Sequence, residues 1–106
     1  MATGRLAESE MMVELHPEAE RELKHEFEYY EQKQAGLGRE FLLEVFAGIE
    51  RIERSPGTWR QVSPNRQQCL IHRFPFGLIY KVKKDRIVII AVANLQRRAQ
   101  YWRGRT

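Results

Sequence analysis

The sequence predicts an α+β domain in which an N-terminal strand precedes an antiparallel helical hairpin, and the hairpin packs on a small, mainly antiparallel β-sheet. Three observations carry that prediction. Between residues 17 and 55, apolar side chains recur with the period of two amphipathic helices. From Gln68 to Asn94, three apolar, β-branched or aromatic runs are punctuated by Pro75, Gly77 and the pair Lys84-Asp85, the pattern of strands joined by tight connections. A chain of 106 residues is long enough for one modest core and too short for two.

Residues 1–10 mix small and charged side chains without period and read as a disordered tail, leaving 11–106 as a single domain. Met11 to His16 alternates weakly, with Met11, Val13 and Leu15 on one side, and predicts a short first strand. His16-Pro17 closes it. Proline suits the first helical position, and Glu18, Glu20 and Glu22 suit the positive end of a helix dipole. Ala19, Leu23, Phe27 and Tyr30 then line one face of a helix running to about Gln34. In Gln34-Ala-Gly-Leu-Gly38 a glycine is expected to occupy the helix C-cap position. From Arg39 to about Ser55, Phe41, Val45, Ile49 and Ile52 make a second stripe flanked by Leu42 and Phe46, ended by Ser55-Pro56-Gly57. Two such helices joined by a few residues form a hairpin whose stripes need a sheet to lie on.

Thr58 to Gln67 reads as a polar loop with a short strand near Arg60-Gln-Val62. In Ile87 to Ala93 both alternating sets are apolar, Ile87, Ile89, Ala91 and Ala93 against Val88, Ile90 and Val92, so this strand is central and covered on both faces. In Leu78 to Lys83, by contrast, Leu78, Tyr80 and Val82 oppose Ile79, Lys81 and Lys83, which predicts one buried face. The run Cys69 to Phe74 is mixed and assigns no face. Leu95 to Arg105 is basic and carries Tyr101 and Trp102. Such a segment can stack bases on its aromatics while Arg97, Arg98, Arg103 and Arg105 hold phosphates, or it can dock Trp102 against the sheet edge as a clasp and leave the arginines solvated.

The net charge of +4 is unevenly distributed. Residues 1–55 carry −6, whereas residues 56–106 hold 11 basic residues against Asp85 alone, +10. That asymmetry points to a polyanionic partner, nucleic acid above all, or to an acidic protein that masks it; the plainer reading matches the basic face to an acidic helical layer of the same molecule. The single cysteine, Cys69, has no intramolecular disulfide partner and reads as a structural thiol in a reducing compartment. No run approaches the roughly 20 apolar residues that span a bilayer, and the first ten residues hold no signal-peptide core, so the expectation is a cytoplasmic protein away from membranes. No phosphate loop, zinc spacing or metalloprotease helix is present. Histidines at 16, 25 and 72 make no metal set, and no cofactor is expected. With the acids almost wholly on the helices, a two-metal nuclease is disfavoured.

Several segments resemble toxins of the RelE/ParE superfamily of type II toxin-antitoxin systems, among them plasmid stabilisation proteins. They are His16-Pro-Glu-Ala-Glu-Arg-Glu-Leu23, Tyr29-Tyr-Glu31, Gly36-Leu-Gly38 with Phe41-Leu42 and Glu44-Val45, Arg73-Phe-Pro-Phe-Gly-Leu-Ile-Tyr80, Ile87 to Ala93, and Arg97 with Tyr101-Trp102. The resemblance covers nearly everything from Met12 onward. It implies a strand, a helical hairpin and a β-meander, and a basic bacterial toxin neutralised by a smaller acidic antitoxin. One branch of the superfamily cleaves messenger RNA in the ribosomal decoding site and another poisons DNA gyrase; fold alone does not choose between them.

The resemblance to the RNA-cleaving branch implies metal-independent endoribonuclease chemistry, in which a ribose 2′-hydroxyl attacks the adjacent phosphate. Arg73 and Arg97 would then stabilise the phosphate and Tyr101 would exchange a proton, making these three the catalytic set. Lys81, Lys83, Arg98 and Arg66 would bind RNA. Two positions depart from the subgroup's pattern: Asn94 stands where histidine is common, and Ala99 where proline is common before Tyr-Trp. Asparagine has no basic nitrogen and closes that position to a general base. The sequence therefore predicts a toxin acting by ribosome-dependent mRNA cleavage, with a gyrase inhibitor and a weakened basic module that only binds its antitoxin or nucleic acid as the alternatives.

Overall fold

The computed structural model describes residues 11–105, so the tail expected at 1–10 lies outside the described residues. Strand β1 (Met12–Leu15) leads into helices α1 (Pro17–Lys33) and α2 (Leu37–Arg54), followed by β2 (Arg60–Ser63), β3 (Arg66–Leu70), β4 (Phe76–Val82) and β5 (Arg86–Asn94). The strands form one five-stranded sheet in the order β1-β5-β4-β3-β2. β2 to β5 are antiparallel neighbours, while β1 runs parallel to β5 with Met12 opposite Arg86 and Leu15 opposite Ile89.

The helical hairpin covers one face of the sheet, as its two stripes require. Ala19 from α1 and Phe41, Val45 and Ile52 from α2 are fully buried against Cys69, Leu78, Tyr80, Ile87 and Ile89. Phe41 lies 5.3 Å from Phe74 and 5.1 Å from Phe76 between ring centroids, both edge-on. Met11, Val13 and Leu15 pack against this core from β1. Phe46 and Leu43, by contrast, remain about half exposed on the outer side of the hairpin.

Four local readings of the sequence change. The glycine between the helices serves α2 rather than α1: α1 ends at the extended Gln34, and Gly36, at φ 90°, is the N-cap of α2. The Glu31 carboxylate accepts from the Gly36 and Gly38 N–H groups at 2.9 and 3.0 Å, so an acid from α1 caps the start of α2. Gly77 lies within β4 instead of a turn, at a point where the Gln68 side chain crosses and a Cβ would stand 3.0 Å from its Oε1. The mixed run 69–74 is not one strand. β3 ends at Leu70, and the chain turns through Arg73 at φ 71° before Phe76.

The fourth change is in β5. Tyr80 pairs with Ile89 and Ile79 with Ala91, leaving Ile90 as the extra residue of a β-bulge. Beyond it the side-chain parity inverts. Ile87 and Ile89 face the helices, and so does Val92, while Val88, Ile90, Ala91 and Ala93 share the opposite face. That back face is covered by residues 95–105, which bring Trp102 to 4% exposure over Ile79, Val88 and Ile90. The central strand is thus buried on both sides, as its composition predicts.

Candidate functional site

β1 is four residues long, so it covers only the first half of the β5 edge. The His16 N–H donates to the Ile89 carbonyl, and past that point side chains replace the missing strand. Glu22, on the core-facing side of α1, accepts from the Val92 N–H at 3.0 Å, and the Arg105 guanidinium donates to the Ile90 carbonyl at 3.2 Å. Arg105 also grips Glu22 through two bonds of 3.0 and 2.9 Å, the bidentate fork that guanidinium and carboxylate planes permit. The Tyr101 hydroxyl donates to the same carboxylate at 2.7 Å. Arg97 approaches it only to 3.9 Å and lies over the Tyr101 ring, 3.9 Å from the centroid. The result is a clasp that fixes residues 95–105 to α1 and to the sheet.

Local turns shape the same segment. The Asn94 side-chain oxygen accepts from the Gln96 N–H at 2.8 Å, and the Gln100 amide reaches the Val62 carbonyl at 3.0 Å. A wall is thereby built opposite β2, leaving a cleft of about 310 Å³ on the back face. Arg60, Arg97 and Arg98 supply its cations, and Gln68, Asn94 and Gln100 supply amides. No carboxylate, histidine or lysine lines it among the described residues.

The residues singled out in the sequence fall into four settings. Arg97, Arg98 and Tyr101 are brought together at this cleft. Arg73 is held elsewhere: its guanidinium meets Glu40 of α2 at 2.7 Å and lies 5.4 Å from the Phe74 ring centroid. Arg66 and Lys81 line a neighbouring concavity; burial and the positive charges of Lys83, Arg66 and Arg86 hold the Lys81 ammonium below the usual lysine range. Lys83 is exposed, and its N–H closes the β4–β5 hairpin on the Arg86 carbonyl. Glu22, Arg60 and Gln100 had not been singled out as site residues; Arg105, expected as a phosphate contact, is held on Glu22. For Glu22 a signal existed: it follows Ala19 by three residues, on the same helical face.

Chemically, the clasp commits Tyr101 to its protonated form. Burial first, then the hydrogen bond to Glu22 and its charge, push the phenol well above the ordinary tyrosine range. Its proton is directed into the Glu22 carboxylate. The cleft beside it can bind anions through guanidinium and amide donors. Among the described residues, no group of three or more histidine, cysteine, aspartate or glutamate side chains is placed to hold a metal ion. No helix among them is long and apolar enough to cross a membrane.

This architecture, a helical hairpin on one face of a mixed five-stranded sheet and a basic clasp on the other, defines a small α+β fold class. The family described as ParE toxin of type II toxin-antitoxin system, parDE, matches residues 13–99, and the chain belongs to that family. It is the toxin component of a type II toxin-antitoxin system. Among solved structures it is similar to a chain of the chromosomal ParDE toxin-antitoxin system from P. aeruginosa, with a TM-score of 0.73 at 15% identity, covering 83% of this chain and 99% of that one. At that identity the likeness is one of fold. No curated protein matches the sequence.

Proposed function

We propose that this toxin arrests growth by binding DNA gyrase without cutting nucleic acid, and that an acidic antitoxin neutralises it by covering its basic half. The observation that carries this reading is the Tyr101 hydroxyl bonded to Glu22 at 2.7 Å, with a phenol pushed above its ordinary range. Cleavage through a 2′-hydroxyl needs a group to take that proton. The cleft offers arginines and amides, which cannot. Arg73, the other expected phosphate stabiliser, is paired with Glu40, and Asn94 supplies no base. Membership of the ParE family supports the gyrase branch, and a +10 half-chain supports an acidic antitoxin.

Ribosome-dependent mRNA cleavage is the alternative, and it requires Tyr101 and Arg97 to leave Glu22 on the ribosome. Two assays with the purified chain separate the readings. The gyrase reading expects dose-dependent inhibition of supercoiling, or trapped double-strand breaks, with mRNA left intact on programmed ribosomes. Cut mRNA together with unaffected supercoiling would overturn it. If the antitoxin does neutralise the toxin, co-expression with the acidic antitoxin restores both supercoiling and growth.

A further inference from the structure

We propose that the back face of the sheet carries a groove for the sugar-phosphate backbone of duplex DNA, lined by Arg60, Arg97, Arg98, Arg103, Arg66 and Lys81. Three concavities compose it, of about 310, 330 and 440 Å³, and each adjoins the next. The first and second share Trp102; the second and third share Asn65 and Arg66. No aspartate or glutamate lines any of the three among the described residues. Glu22 stands behind Arg97 at 3.9 Å, outside the lining. Among the described residues, the guanidinium groups of Arg60, Arg98 and Arg103 meet no carboxylate within ion-pair distance, unlike Arg73 and Arg86 on the same half of the chain. Those three guanidinium groups, on a wall fixed by Gln100 and the clasp, are suited to a repeating phosphate.

The aromatic side chains decide which nucleic acid fits. Single strands are held by bases stacked on open aromatic faces. Here Trp102 is buried under the segment, and the Tyr101 ring already carries the Arg97 guanidinium. The groove offers phosphate contacts without a stacking platform, which favours a paired nucleic acid whose bases stack on one another. The proposal rests on the gyrase reading for its setting: the toxin would hold the DNA that the enzyme carries.

The test uses the full chain and a short labelled duplex, with single-stranded DNA and RNA of the same sequence, followed by fluorescence anisotropy between roughly 50 and 200 mM salt. The duplex is expected to bind more tightly than either single strand, with affinity falling steeply as salt rises. The Arg60→Gln/Arg98→Gln variant is expected to bind the duplex about tenfold more weakly and to lower the salt slope by about two, one for each lost phosphate contact. The charge-matched Arg39→Gln/Arg54→Gln variant, altered on α2, is expected to bind like the parent. Absence of salt-dependent duplex binding, tighter binding of single-stranded RNA, or equal losses in the two folded variants would overturn the groove. Supercoiling inhibition is measured on the same protein. A toxin that inhibits gyrase yet ignores duplex DNA loses the groove and keeps the gyrase reading, and one that binds duplex DNA while leaving gyrase untouched does the reverse.

Discussion

Truncating Glu22 to alanine would leave the Arg105 guanidinium, 16% exposed, without its counter-ion and the Val92 N–H without its acceptor. Removing one partner of such a pair costs about 3 kcal/mol, and urea denaturation of Glu22→Ala should read that loss; Glu20→Ala, whose partner Lys24 is exposed, should lie within about 0.5 kcal/mol of the parent. Tyr101→Phe removes one hydrogen bond to the same carboxylate and keeps the ring under Arg97, so it should cost about 1 kcal/mol and preserve growth arrest. Loss of toxicity in that folded variant would favour the nuclease. Tyr80 gives a pH signature. Burial raises its phenol to about 12, and its hydroxyl donates to the Pro56 carbonyl. The fold holds the neutral form, so this stabilisation is complete below pH about 10, where an unfolded tyrosine is still protonated, and is lost as pH rises toward 12. Unfolding free energy measured across that window should fall, and should fall less steeply in Tyr80→Phe. Arg97 and Tyr101 were legible in the sequence as a basic, aromatic pair. Their carboxylate was not, because Tyr101 and Glu22 stand 79 positions apart and local spacing carries no record of that pairing.

Where elements meet, two glycines set the distances. A Cβ on Gly38 would lie 2.6 Å from the Phe27 carbonyl oxygen, a backbone atom that cannot step aside, whereas a Cβ on Gly48 would lie 2.9 Å from Leu78 Cδ1, the end of a flexible side chain. Gly38→Ala should therefore destabilise by about 2–3 kcal/mol by prising α1 from α2, with Gly48→Ala the milder change; thermal unfolding of both orders them. The helices and their stripes were readable because each repeats over enough residues to show a period. The Ile90 bulge was not. With apolar residues on both faces of β5, a one-residue slip leaves the hydropathy pattern unchanged, and only pairing with Tyr80 and Ile79 reveals it. The partner of β1 was equally hidden, since a strand's sequence does not say which edge it joins.

At the scale of the whole molecule, the charge asymmetry becomes a spatial one. Within the acidic half, residues 11–55 build β1 and the helical layer; within the basic half, residues 56–105 build β2 to β5 and the clasp. A basic back face set against an acidic hairpin orients the toxin toward a polyanion, and its arrest of cells should follow the target. Within minutes of induction, thymidine incorporation should fall before amino-acid incorporation does; the opposite order would point to the ribosome. The short parallel strand β1 has a further consequence, one of timing. A ribosome delivers β1 and both helices well before β5, the strand that β1 needs and the surface on which the hairpin lies. Glu22 likewise waits for Arg105, 83 positions on. Topologies dominated by such distant pairings close slowly, and until then chaperones and proteases meet apolar helices instead of a finished toxin. Arrest of the cell should therefore lag translation of the chain by its folding time, an interval in which a protease or an antitoxin already in place acts first.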